Sequence, residues 1–108
     1  MWVKIDDSLD GHPKFLQAWD AAPASVGLWP QALAWAGRHL TDGHVSAEYV
    51  LGRTSSRRQR DQLTGALVES QLWVPNGSGW QIHDFTDFNP SRAQVEARRQ
   101  LDAVRKRR

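Results

Sequence analysis

Four arginines, Arg53, Arg57, Arg58 and Arg60, fall between residues 53 and 60 with no acid among them. A guanidinium offers a rigid fork of N–H donors that matches a phosphate, or the O6/N7 edge of guanine, with two bonds at once, which a lysine ammonium cannot do. The pattern points to recognition of anions and base edges rather than to bond-making chemistry. Ser55 and Ser56 stand inside the cluster, and a second basic group follows at Arg105, Lys106, Arg107 and Arg108. That tail has two readings, a solvated terminus or non-specific phosphate contact.

Arginines act together only if something holds them at one edge, and the flanking residues can supply it. Ser46 can cap a short helix through Leu51, in which Ala47, Val50 and Leu51 recur at helical spacing and Glu48 sits beside the positive end of the dipole. Gly52 can end that helix. The run Arg53 to Ser56 then reads as a turn, and Ser56 with Gln59 three residues on has the form of a capping box. A second helix is expected to start near Arg57, with Leu63, Ala66, Leu67 and Ser70 on its inner face. The arginines then occupy the turn and the first helical turn, where a helix entering the major groove meets base edges. Beyond them, Trp73-Val74, Asn76-Gly77-Ser78-Gly79 and Trp80-Gln81-Ile82 read as a hairpin, because Asn-Gly and Gly accept positive φ and the return strand alternates. Helix, turn, basic helix and hairpin in this order predict a mainly α fold with a small β wing, a winged helix-turn-helix.

The charge is uneven along the chain. Residues 1 to 52 hold three basic and six acidic side chains, residues 61 to 89 hold four acids and no Lys or Arg, and residues 90 to 108 hold seven basic and two acidic. Two positive regions on an acidic body fit a phosphate-binding surface, since a localised potential orients the partner. At 108 residues, with 40% hydrophobic and 24% charged side chains, the composition is that of one globular domain with a modest core. We divide it into a winged-helix domain over 1–89 and a C-terminal basic helix and tail over 90–108.

The remaining segments have structural readings. Trp2, Val3 and Ile5 are expected to form a strand pairing with Trp80 to Ile82. Asp6, Asp7, Asp10 and His12 match no cation loop and read as turn formers, so no metal and no cofactor is assigned. Pro13 starts a helix to about Trp19 with Phe15, Leu16 and Trp19 inward, followed by a break at Ala21-Ala22-Pro23. Val26, Trp29, Leu33, Ala36 and Leu40 mark the central buried helix, whose regular part is expected to start near Gly27 to Trp29 because Pro30 is tolerated only in a first turn or at a kink. Val45 suits a short strand. Phe85 and Phe88 are expected on the core, and Ser91 with Gln94 caps a last helix. Its seam of Ala97, Leu101 and Val104 suits docking on the body or on a second copy.

The pieces Trp2-x-Lys4-x-Asp6-Asp7, His12-Pro13-Lys14, Gly27-Leu28-Trp29, His39 to Gly43, His83-Asp84-Phe85 and Asn89 to Arg92, in this order, resemble small helix-turn-helix proteins of actinobacterial phages and prophages. Those are similar to the N-terminal winged-helix domain of DnaD-like replication initiation proteins. The resemblance implies DNA binding in phage replication or gene regulation, as a homodimer or higher oligomer, with a host or phage replication protein as a further partner.

The expectation is therefore a non-enzymatic protein that binds double-stranded DNA through Arg53, Ser55, Ser56, Arg57, Arg58 and Arg60, with the basic tail adding affinity. There is no cysteine, phosphate loop or nucleophile elbow. No signal peptide or span of about 18 apolar residues is read, so a cytoplasmic location in a bacterial host cell, off the membrane, follows. The competing reading is a protein-interaction module. It is motivated by the acidic first half, by six tryptophans, and by a hairpin with no Lys or Arg between Trp73 and Ile82.

Overall fold

Three serines set where helices begin. In the computed structural model, which describes residues 2–107, Oγ of Ser46, Ser56 and Ser91 accepts the backbone N–H of Tyr49, Gln59 and Gln94, at 3.1, 3.1 and 3.2 Å. Each bond satisfies one of the donors that a first helical turn leaves without a partner. The helices are α1 (Pro13–Ala21), α2 (Ser25–His39), α3 (Ala47–Gly52), α4 (Arg57–Glu69), α5 (Phe85–Phe88) and α6 (Arg92–Lys106). The strands are β1 (His44–Val45), β2 (Trp73–Asn76) and β3 (Gly79–Ile82), so the chain is mainly helical with one small antiparallel sheet.

The sheet order is β1-β3-β2, with Val45 opposite Trp80 and Trp73 opposite Ile82. Gly79 permits the β1 contact, since a Cβ there would stand 2.2 Å from the Val45 carbonyl oxygen. With β3 in the middle, both its edges are taken. That is why Trp2 to Ile5 form no strand, contrary to expectation: the place is filled by β1, and the segment is tied down instead by Lys4 N–H donating to Asn89 Oδ1 at 2.8 Å.

Helix α2 runs through the core. Leu28, Trp29, Ala32, Leu33 and Ala36 are buried on it, against Leu63, Ala66 and Leu67 of α4 and Trp73, Ile82 and Phe85 beyond. Full burial of a side chain such as Leu67, which is 0% exposed, contributes about 1.5–3 kcal/mol. The helix starts at Ser25, earlier than expected. Ser25, Val26 and Gly27 donate to the carbonyls of Ala22, Pro23 and Ala24, so a tight i→i+3 entry precedes Pro30. One turn later, Gln31 Nε2 donates to the Gly27 carbonyl at 3.0 Å.

Of the three residues expected inward on α1, Phe15 turns in and Leu16 and Trp19 do not. Ala18 and Ala22 are buried and Phe15 meets Trp29 edge-on with centroids 6.3 Å apart, whereas Leu16 and Trp19 are about half exposed. Phe15, Ala18 and Ala22 recur at offsets of three and four and so share one helical face, and small alanines let α1 approach α2 closely. Phe88 is also exposed, at 56%, because α5 is a single turn and only Phe85 points inward. The seam of Ala97, Leu101 and Val104 does not dock on the body: in α6 only Val95 is buried.

Gly65 lies inside α4 with open space where a Cβ would go. Gly65→Ala is expected to stabilise the fold by about 0.5–1 kcal/mol, read as a raised denaturant midpoint with unchanged slope.

Candidate nucleic-acid interface

The first turn of α4 is built to stay formed with its outer side bare. Ser56 caps it, and Gln59 Oε1 accepts both the backbone N–H and the Oγ–H of Ser55, at 2.6 and 3.0 Å. The return bond of the expected capping box therefore goes to Ser55 rather than to Ser56. Leu63, Thr64, Ala66 and Leu67 are buried, which fixes how α4 is rotated and leaves Arg57 and Arg58 exposed. No ion pair among the described residues involves either arginine. The first turn also carries no acid, so the positive end of the helix dipole adds to their charge.

The cap is testable alone. Ser56→Ala is expected to cost about 1 kcal/mol of stability in a chemical denaturation curve.

Arg60 is differently placed. Its Nε and Nη2 both donate to Asp61 Oδ1, at 3.1 and 3.0 Å, and its side chain is only 28% exposed. The neighbouring acid offsets much of its attraction for a phosphate. Arg53 caps the end of α3, with its guanidinium carbon 5.2 Å from the centroid of Tyr49. Tyr49 stacks on Trp35 at 4.8 Å, Trp35 faces His39 at 5.1 Å, and Tyr49 Oη donates to the Gln31 carbonyl at 3.1 Å. A continuous stack from α2 thus orients Arg53, by cation–π attraction at its outer end.

That stack exposes a residue that sequence reasoning missed. Arg38, in the last turn of α2, lines a shallow depression together with Gln31, Ala34, Trp35, Tyr49 and Arg53. Fifteen positions separate Arg38 from Arg53. Only the packing of α2 against α3 brings them together, so no local pattern could have found the pair. Arg38, Arg53, Arg57 and Arg58 carry the exposed positive charge of this part of the molecule.

The other basic group lies on α6. Arg105 and Lys106 form its last turn and Arg107 caps it, all exposed, while Arg108 lies outside the described residues. The helix is fastened at its start by the complete Ser91–Gln94 capping box and by Arg92 N–H donating to Asp42 Oδ1 at 2.6 Å. No hydrogen bond or ion pair among the described residues joins α6 to α4. The hairpin tip, Val74 to Ser78, is exposed and carries no cation.

The N-terminal acids serve their own turn. Asp6 Oδ1 accepts the N–H and the Oγ–H of Ser8, at 2.9 and 2.7 Å, and these bonds hold its carboxyl below the ordinary carboxylate range. His83 and Asp84 pair with each other at 3.0 Å. Among the described residues no three His, Asp or Glu side chains gather as a metal site requires, and no helix is long and apolar enough to cross a membrane. Compared with known protein families, curated proteins and solved structures, the chain matches none.

Proposed function

We propose that this chain is a winged helix-turn-helix protein that binds duplex DNA without catalysing a reaction, with α4 as its recognition helix and the β2–β3 hairpin as its wing. The observation that carries this reading is the start of α4: a capped helix of 13 residues whose first turn carries no acid and offers Arg57 and Arg58 exposed, with no ion pair to either among the described residues. The element order around it is the order a winged helix requires, and the β1-β3-β2 sheet suits a wing that returns beside the strand preceding α3. Arg53 and Arg38, which line one depression between α2 and α3, suit phosphates flanking the groove. The likeness to phage helix-turn-helix proteins extends the proposal to replication or gene control in a phage-infected bacterium. Lys106 and Arg107 at the end of α6 add sequence-independent affinity.

Titration of labelled duplex DNA, random and phage-derived, at two salt concentrations tests this reading. Binding that weakens steeply with salt and is tighter on one phage segment is expected. Absence of binding even at low salt would leave a DNA-binding role without support. It would favour the interaction-module reading, which the cation-free hairpin tip and the exposed Trp2, Trp19 and Phe88 motivate.

A further inference from the structure

From Glu96 to Arg107 every residue of α6 and its cap is exposed, Leu101 at 61% and Val104 at 48%. A helix of this length with no tertiary cover is marginal in water. At about 100° per residue, Ala97, Leu101 and Val104 lie on the side of α6 opposite Val95, the residue that seats the helix on its own body. The apolar stripe therefore faces away from the chain that carries it and is open to a second molecule.

Charge selects the cover. Arg98 and Arg105 run along one edge of the stripe and Arg107 along the other. Another α6 laid antiparallel on the first would set these arginines against each other. DNA would satisfy the arginines but leave Leu101 and Val104 in water. The complementary surface is apolar and acidic, and the outer face of α1 is one. It presents Leu16 at 46% and Trp19 at 51% exposure, with Asp20 beside them. The last turn of that helix holds no basic residue to offset its negative end, and Gln17 Nε2, 3.4 Å from the Glu69 carbonyl oxygen, brings the acidic end of α4 alongside.

We propose that α6 of one copy docks on the α1 face of a second copy, reciprocally, so that a two-fold dimer contains the contact twice. Leu101 and Val104 cover Leu16 and Trp19, and Arg98 and Arg105 face Asp20 and Glu69. This proposal does not depend on the DNA reading.

Sedimentation of the full chain tests it. The wild-type chain is expected to dimerise with increasing concentration, less readily as salt rises. Leu101→Glu and Trp19→Ala, both at exposed positions, are each expected to weaken the dimer about tenfold or more while circular dichroism stays unchanged. Because the chain has no cysteine, mixed Leu16→Cys and Ala97→Cys chains should give chiefly the mixed disulfide on oxidation. A wild-type chain that stays monomeric into the millimolar range overturns the proposal. So does a dimer sensitive to Leu101→Glu but not to Trp19→Ala, or a crosslink formed chiefly between two Ala97→Cys chains.

Discussion

Replacing Arg57 and Arg58 together by alanine is expected to leave the fold intact and to weaken duplex DNA binding, with the slope of log K against log salt falling by about two units where both side chains meet phosphates. Both residues are exposed and have no ion pair among the described residues, so the change should move stability by no more than about 0.5 kcal/mol. Loss of affinity then reports contact with DNA and not unfolding. If one of the two reads a guanine, its single substitution should cost about 1–3 kcal/mol on the preferred site and little elsewhere, and the slope should fall by about one unit from the other. Arg60→Ala serves as the internal comparison. Since Asp61 already occupies its Nε and Nη2, the effect on the salt slope should be smaller than for either neighbour. An unchanged slope and affinity in the double variant would remove α4 from the interface.

The same region shows what a sequence can and cannot disclose. Helix starts were legible because a cap is a local device: Ser46, Ser56 and Ser91 each reach an N–H three residues on, and that spacing is written in the chain. The hairpin was legible for the same reason, through Asn76-Gly77. Facial choices were not. Around Phe15, helix α1 offers two apolar continuations, Ala18 and Ala22 or Leu16 and Trp19, and the buried one is the pair of small residues that lets α1 approach α2 closely. The N-terminal segment looked like a strand, but the edge of β3 it would have paired with is occupied by β1, a two-residue strand. Within the candidate interface the arginines were plain, but their availability was not: Arg60 is paired to the next residue, Arg53 is held on Tyr49, and Arg38 joins only across the α2–α3 contact. Local chemistry was readable, and tertiary selection among equal local options was not.

Gly43→Ala is expected to be strongly damaging for so conservative a substitution, lowering stability by about 3 kcal/mol or more and the melting temperature by roughly 15 °C. Two effects add at this position. Its φ of +91° lies in the region that side chains rarely adopt, and the turn around it already holds Leu40 and Asp42 at positive φ. A Cβ there would also stand 2.5 Å from Phe85 Cβ and 2.8 Å from its Cγ. Phe85 is 4% exposed, and its Cβ cannot withdraw unless α5 moves with it. Movement on the other side is no easier. The Gly43 carbonyl accepts the Ile82 N–H at 2.9 Å, and Asp42 holds both Gln81 and the start of α6 through its carbonyl and its carboxylate. A shift of this turn therefore loosens the central strand and the root of α6 together. Gly77→Ala separates the two effects. Gly77 also has positive φ, +61°, but open space around it, so alanine there should cost about 1 kcal/mol from backbone strain alone. Thermal melts of the two variants should differ by the part that packing contributes. Equal costs would mean that the turn does not press on α5, and that the junction of turn, strand and α6 is looser than these contacts require.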